Sequence, residues 1–126
     1  TLLLFSCTFP EGKRILLHRR PEKGVLRGMW EFPALEGKLS QDDALRQALR
    51  IVEPYGLFVR KITPLRDAKH IFTHIEWQMS AWLLSATADS LPETQAALPE
   101  DFSLVQRLAD IPLPSAFKAY RTVFGE

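Results

Sequence analysis

The chain has 126 residues, of which 46% are hydrophobic and 25% are charged, and its formal net charge is +1. These values are typical of one globular domain with its own core, and no apolar run approaches the roughly 20 residues that a membrane-spanning helix needs. The single cysteine, Cys7, excludes a disulfide framework and a cysteine-based zinc site.

The chain opens with an apolar stretch, TLLLFSCTF. No basic region precedes it and no small-residue cleavage site follows it, so we predict a strand rather than a signal peptide. Because the chain begins at Thr1 rather than Met, we expect residues 1–126 to be a single domain from a longer protein; the alternative is removal of the Met by processing. A second apolar run at residues 14–19 follows the turn residues Pro10 and Gly12, and the two runs predict a β-hairpin.

The next segment, residues 19–28, contains Pro and Gly and predicts a loop, and MWEFPAL after it predicts a short strand that ends at Pro33. Basic side chains concentrate around this loop, at residues 12–27. Residues 1–70 carry 13 Lys and Arg against 8 Asp and Glu, whereas residues 71–126 carry 3 against 7. Such a polarised chain offers a positive face to a phosphate backbone, and the alternative is an ordinary solvated surface.

The clearest helix is predicted over residues 40–53. Ser40 followed by Asp43 resembles a capping box, and Pro54 ends the helix. A stripe of apolar side chains at helical spacing supports it: Leu45, Ala48, Leu49 and Val52. The following YGLFVRKITPL predicts a strand.

From residue 71 onward the apolar pattern has a period of two, which predicts a long strand to about residue 86. Residues 87–100 are polar and contain Pro92 and Pro99, so we predict a loop there. Aromatic side chains at helical spacing within AFKAYRTVF predict a short C-terminal helix. This order of elements predicts an α+β fold with a mixed β-sheet and helices packed on it.

Two histidines, His70 and His74, lie four residues apart in HIFTH. Imidazoles at this spacing share a metal ion only on a helix, whereas this stretch favours a strand, along which four steps span about 13 Å. No acidic cluster completes the set, so we predict no metal site. Phe72 lies on the polar face of the predicted strand, where it either covers a helix or is offered to a ligand. The alternative is a partly exposed strand with satisfied histidines.

Three segments together resemble one known family. LLHRRPEKGVLRGMWEFP at 16–33 is similar to the signature of the C-terminal domain of MutY-type adenine DNA glycosylases, R-P-x-x-G-L-L-x-G-L-W-E-F-P, with Val25 and Met29 as apolar exchanges. HIFTH at 70–74 resembles the F-S-H or F-T-H loop of that family, and LPSAFKAY at 113–120 resembles its closing helix. The long first motif is specific, whereas the other two alone are weak.

The resemblance implies a Nudix-like fold and the recognition of 8-oxoguanine opposite adenine in double-stranded DNA, in base excision repair. By that analogy Phe72, Thr73 and His74 form the lesion-binding loop. The Thr73 hydroxyl both donates and accepts hydrogen bonds, so it suits the N7–H and O8 groups that distinguish the oxidised base from guanine. Phe72 would press near the base stack, and His74 would contact DNA or brace the loop.

The resemblance also implies a division of labour. The parent protein would be an adenine DNA glycosylase, a hydrolase whose N-terminal catalytic domain on the same polypeptide carries an iron–sulfur cluster, which the one cysteine here cannot ligate. We therefore expect no cofactor, no catalysis and no membrane association for this domain, and a cytoplasmic location in a bacterium. The basic side chains expected to contact the DNA backbone are Arg19, Arg20, Lys23, Arg27 and Lys69.

Nudix hydrolases, which have the implied fold, are the main alternative. They hold Mg²⁺ or Mn²⁺ with a glutamate-rich helix that ends in R-E-U-x-E-E-x-G-U. Aligned on Gly56, the segment LRIVEPYGL keeps only Glu53, while Arg50 and Pro54 replace glutamates. One carboxylate cannot hold a divalent ion, so we disfavour nucleoside diphosphate hydrolysis. A stand-alone protein-binding domain with a degenerate Nudix fold is a third interpretation.

Overall fold

A mixed β-sheet of six strands organises the structure, a computed structural model that describes residues 1–126. The strands are β1 Leu2–Phe9, β2 Gly12–Arg19, β3 Trp30–Glu31, β4 Phe58–Ile71, β5 Glu76–Thr87 and β6 Phe102–Val105. The helices are α1 Gln41–Val52 and α2 Leu91–Ala97, with 3₁₀ segments at Glu53–Tyr55, Leu108–Asp110 and Ser115–Phe124, the last being the C-terminal 3₁₀ helix. The order across the sheet is β3-β2-β1-β5-β4, and β6 also pairs with β2. Only β1 and β5 run parallel.

The central strand β1 supplies two hydrophobic cores, because alternate side chains of a strand point to opposite faces of the sheet. Leu3 and Cys7 pack in the core that α1 covers, and burial raises the pKa of the Cys7 thiol to about 12. Leu2 and Leu4 pack in the second core. That core includes aromatic side chains from the segment after β3 and from the C-terminal 3₁₀ helix: Phe32, Phe117 and Tyr120. The mixed sheet with helices on it confirms the predicted α+β fold.

The first hairpin and the helix α1 confirm the sequence predictions. The Asp43 N–H donates to the Ser40 side chain at 3.2 Å, as in an N-cap. The buried stripe of α1 differs from the predicted one, because Ala44 joins Ala48 and Val52 in the core while the predicted leucines are only half-buried. Small alanines let the helix approach the sheet closely, so the larger leucines lie at the edges of the contact.

The predicted long strand from residue 71 is wrong at its start. β4 ends at Ile71, residues 72–75 form a turn, and β5 begins at Glu76. The Phe72 N–H donates to the Ile75 carbonyl at 2.7 Å, which closes the hairpin. A turn of four residues keeps the period-two pattern in phase. Because it contains neither Gly nor Pro, no residue in it marks a break between two strands.

The predicted loop over residues 87–100 is also wrong, since it contains α2. The Ser90 side chain accepts from the Glu93 N–H at 3.3 Å, and Pro92 lies in the first turn, where the missing N–H of proline has no cost. Pro92 therefore starts a helix here, whereas the prediction of a loop took it as a sign against one. The four-residue strand β6 was not predicted. None of the helices is long and apolar enough to span a membrane.

Candidate nucleic-acid interface

The β4–β5 hairpin ends in the turn at residues 72–75, here called the tip. Thr73 and His74 are exposed, as the lesion-binding prediction requires. Two isoleucines flank them, and their exposed fractions of 66% for Ile71 and 46% for Ile75 are unusual for large apolar side chains. The period-two pattern gave no sign of this exposure, because it predicts one continuous strand through residues 71–75. The tip therefore offers a hydroxyl, an imidazole and apolar surface to a partner.

Phe72 anchors the tip rather than pointing freely outward. Its ring meets the His70 ring edge-on at a centroid distance of 4.7 Å and the Trp77 ring at 5.0 Å. Trp77 in turn lies 6.1 Å from the buried Phe117 of the C-terminal 3₁₀ helix. Edge-to-face pairs of this kind contribute about 0.5–1.5 kcal/mol each beyond area burial. The aromatic ladder therefore connects the exposed tip to the second core.

Arg20, which the sequence predicts to contact the DNA backbone, makes three contacts within the protein. Its guanidinium carbon lies 4.9 Å from the centroid of Trp77, and Nη1 donates to Glu31 Oε1 at 2.8 Å. Nε donates to the carbonyl of Val25 at 3.0 Å. The planar guanidinium satisfies a carboxylate and stacks on an aromatic ring at the same time. Arg20 therefore braces the wall of the hairpin, and its contact with DNA stays a prediction.

Glu31 of β3 holds two other side chains of the signature segment, His18 of β2 and Arg20 just after it. No role for Glu31 was predicted from the sequence. Glu31 is 4% exposed. Its carboxylate pairs with Arg20 and, at 2.9 Å, with His18 Nδ1. His18 Nε2 lies 3.0 Å from Asp101 Oδ2. The hydrogen bond with Glu31 raises the pKa of His18, burial lowers it, and Asp101 raises it, with a net increase. A carboxylate inside the apolar run MWEFPAL was the available signal, since such a residue is buried only with partners.

A cleft of about 970 Å³ lies beside the tip. Arg20 and Lys69 line this cleft together with Glu31 and Trp77. Two of the five residues predicted to contact the DNA backbone therefore line the same cleft. Its wall also includes Glu76, which is 3.8 Å from the Lys69 ammonium. The side chains of this cleft combine charge with an aromatic face, which is typical of a polar ligand site.

The other predicted contacts with the DNA backbone are Arg19, the last residue of β2, and Lys23 and Arg27 on the loop between β2 and β3. All three are exposed, and they line neither this cleft nor the smaller groove beside the C-terminal 3₁₀ helix. The loop has a tight internal structure, because the Gly28 N–H donates to the Pro21 carbonyl at 3.0 Å. These three cations are therefore exposed and available to a partner outside the cleft.

Nudix hydrolases with this fold use a divalent metal, and this chain lacks a matching set of donors. No group of three His, Cys, Asp or Glu side chains has a geometry that could hold a metal ion. Glu53 follows α1, where it is exposed and has Arg50 in the turn before it. His70 packs its ring on Phe72. The residues present do not fit a Mg²⁺ site, whose ligands are carboxylates and other oxygens.

Comparison with known proteins supports this description of the fold. A model of the NUDIX domain matches residues 7–122. The chain is 29% identical over 87 residues to the adenine DNA glycosylase of Mus musculus, covering 68% of this chain and 16% of that protein. It is 31% identical over 67 residues to the adenine DNA glycosylase of Homo sapiens, covering 52% of this chain and 12% of that protein. The chain thus spans less than a fifth of the length of either relative.

Two solved structures have the same fold. The C-terminal domain of mouse MUTYH, solved in complex with human PCNA, has a TM-score of 0.60 and 21% identity, with 98% of this chain and 87% of that chain covered. The Nudix hydrolase RenU from M. smegmatis has a TM-score of 0.59 and 21% identity, with 98% and 80% covered. At this identity the likeness establishes the architecture alone, which a hydrolase and a glycosylase domain share.

Proposed function

The chain belongs to the NUDIX domain family, and from that premise we propose that it recognises 8-oxoguanine opposite adenine in double-stranded DNA as one domain of an adenine DNA glycosylase. The observation that carries the proposal is the tip, where Thr73 and His74 are exposed on a turn that Phe72 anchors to a ladder of aromatic rings. The similarity to two adenine DNA glycosylases supports the choice of lesion.

The chemistry of the tip suits the oxidised base. 8-Oxoguanine has an N7–H donor and an O8 acceptor where guanine has an N7 acceptor, and a threonine hydroxyl meets either group. A single polar contact of this kind discriminates between bases by about 1–3 kcal/mol. Because Phe72 is held by His70 and Trp77, the hydroxyl next to it is presented in a restricted position, which lowers the entropy cost of binding.

The proposal assigns excision of adenine to a separate helical domain that precedes this one on the same polypeptide. The iron–sulfur cluster belongs to that domain, since the thiol of Cys7 is buried here and no other cysteine exists. This domain contributes recognition of the opposite strand. Exposed Arg19 at the end of β2 and exposed Lys23 and Arg27 on the β2–β3 loop supply sequence-independent contacts to the DNA backbone.

Direct binding tests the proposal. The affinity of this chain for a duplex with 8-oxoguanine opposite adenine is compared with that for a guanine:adenine duplex at low salt, by fluorescence anisotropy. We expect preference for the lesion, and we expect Thr73→Ala to reduce the ratio of affinities about fivefold to tenfold, the loss of one hydrogen bond. Thr8→Ala is the matched control, because Thr8 is an exposed threonine on β1 away from the tip. Equal affinity of the wild-type chain for both duplexes contradicts the proposal.

Hydrolysis of nucleoside diphosphates is the rival function for this fold. We expect no pyrophosphatase activity on 8-oxo-dGTP with Mg²⁺, because Glu53 is the one carboxylate kept from the glutamate-rich helix. Turnover that depends on Mg²⁺ and is lost in Glu53→Gln would favour the hydrolase. This assay is independent of the DNA-binding measurement, so the two candidate functions are distinguished by separate results.

A further inference from the structure

A groove of about 410 Å³ separates β4 from the C-terminal 3₁₀ helix, on the flank of the tip. It is called the basic groove here. Its lining residues come from two elements only, and they are Arg66, Lys69 and His70 of β4 with Ser115, Ala116, Lys118, Ala119 and Thr122 of the C-terminal 3₁₀ helix. None of them is acidic.

The basic groove is more positively charged than the chain as a whole. Arg66, Lys69 and Lys118 place three positive charges on a chain whose net charge is +1. Lys118 is exposed and has no carboxylate within 4.0 Å, and the Lys69 ammonium is 3.8 Å from Glu76 in a pair that solvent weakens. Arg66 and Lys118 have no such pair, and a cluster of like charges that is only weakly neutralised costs stability, so an anion binds favourably there.

Hydrogen-bond donors complete the basic groove. Arg66 Nη2 donates to the carbonyl of Ala119 at 3.2 Å, which holds the guanidinium against the C-terminal 3₁₀ helix. The hydroxyls of Ser115 and Thr122 also line the groove, and Ser115 is the first residue of that ten-residue helix. Cations with hydroxyl donors are the groups that bind phosphate oxygens in protein–DNA complexes.

The basic groove is continuous with the tip through His70. His70 lines the groove, and its ring contacts Phe72 at the tip at 4.7 Å. We propose that the basic groove binds a backbone phosphate of the DNA strand whose base contacts the tip, with Lys118, Arg66 and Ser115 as the phosphate contacts. The inference rests on the proposed function only in taking DNA as the polyanion.

The test is the salt dependence of DNA binding by this chain and by Lys118→Ala. Dissociation constants are measured between 50 and 200 mM salt for three duplexes, containing 8-oxoguanine:adenine, guanine:adenine and guanine:cytosine. We expect Lys118→Ala to weaken all three by the same factor and to reduce the salt slope by about 1. The loss is then about threefold to fourfold larger at 50 mM than at 200 mM, as one phosphate contact with a slope of about 0.9 requires.

Lys61→Ala is the matched control, because Lys61 is an exposed lysine outside the basic groove. It lies on β4 with the groove residue Lys69, and eight residues of strand separate the two by about 26 Å. Its slope should equal that of the wild-type chain. Ser115→Ala should weaken binding about threefold without changing the slope, since it removes a neutral donor. Thermal melting verifies that each variant is folded. The proposal is overturned if Lys118→Ala behaves like Lys61→Ala.

The results separate this inference from the proposed function. Lesion preference with an unchanged salt slope in Lys118→Ala retains the recognition role and rejects the basic groove. A reduced salt slope in Lys118→Ala without lesion preference retains the basic groove and rejects the recognition role. If the chain binds none of the three duplexes at 50 mM salt, both proposals fail, and an acidic protein segment becomes the ligand to test at the groove.

Discussion

The two halves of the β4–β5 ladder differ in what supports them. In the inner half, residues 58–65 of β4 pair with residues 81–87 of β5, and β5 also pairs with β1 from Leu2 to Thr8. In the outer half, residues 68–71 pair with 76–79, and β5 has no second neighbour there. The outer half is therefore a two-stranded ribbon that extends beyond the sheet, and such ribbons need side-chain support to be ordered.

A register shift separates the two halves, between Leu65 and Ala68. The Tyr120 hydroxyl donates to the Arg66 carbonyl at 2.9 Å, which satisfies a backbone group at this irregularity. Burial raises the pKa of Tyr120, so the phenol stays a donor at neutral pH. The comparison shows that sheet hydrogen bonds order the inner half, whereas Tyr120, the aromatic ladder and Arg20 determine the direction of the outer half.

Truncation of one apolar side chain in each half should give the largest contrast. Leu84→Ala in the inner half removes a fully buried side chain, and we expect a loss of about 2–5 kcal/mol in the free energy of unfolding. Ile71→Ala in the outer half removes a side chain that is mostly exposed, and we expect a change within about 0.5 kcal/mol. Chemical denaturation measures both, and similar losses would contradict the division into two halves.

Glu31→Gln should destabilise the protein by about 1–3 kcal/mol, because it leaves the half-buried guanidinium of Arg20 without its carboxylate. The effect should spread to the outer half through the stacking of Arg20 on Trp77. Hydrogen exchange measures this effect. Amides of the outer half should exchange faster in the variant than in the wild-type chain when each is held at the same number of degrees below its own melting temperature. Glu36→Gln, an exposed glutamate, is the control and should change neither quantity.

Tyr120→Phe should cost about 1 kcal/mol, the usual contribution of one hydrogen bond, because the ring and its packing are kept. The lost contact lies at the register shift, so protection of the Ala68–Ile71 amides should decrease more than that of the Phe58–Leu65 amides. Uniform loss of protection in both halves would show that Tyr120 supports the core alone. Tyr55→Phe, with no side-chain hydrogen bond in the structure, is the matched control.

The pH dependence of stability should be the smallest effect. The pKa of His18 is raised above 6.5 in the folded chain, chiefly by the Glu31 hydrogen bond, so the stabilisation from the protonated form is fully present below about pH 6.5. It is lost as the pH rises through the folded pKa of His18. Thermal melts between pH 5 and 8 should therefore decline toward the alkaline end. His18→Gln should remove this decline, and its persistence would assign it to another group.

The sequence predicted the parts of the fold that depend on local chemistry. The Ser40 cap, the first hairpin and the aromatic C-terminal helix follow from residue types at short spacing. The tip at residues 72–75 was not predicted as a hairpin turn, because its four residues preserve the alternation of the strands on either side. The period-two pattern specifies which face a side chain occupies and carries no information on the direction of the chain.

The sequence predicted the polar residues of the candidate site, whose contact with DNA stays a prediction, but it did not predict the contacts that support them. The resemblance at HIFTH identified Thr73 and His74, which the structure places on an exposed turn. The basic groove brings β4 against a helix about 50 positions later, so neither segment alone predicts it. Glu31 and Arg20 pair across 11 positions, and only the antiparallel register of β2 and β3 brings them together. Such non-local contacts follow from the packed fold and not from spacing along the chain.

The lone thiol of Cys7 on the central strand β1 allows opening of the sheet to be monitored. A neutral thiol with no exposed surface does not react with alkylating reagents at neutral pH, because the thiolate is the nucleophile and the reagent has no access. Modification of Cys7 therefore requires β1 to separate from its neighbours. A pulse of iodoacetamide followed by mass spectrometry would count the molecules whose central strands are open, in any variant, without an added probe.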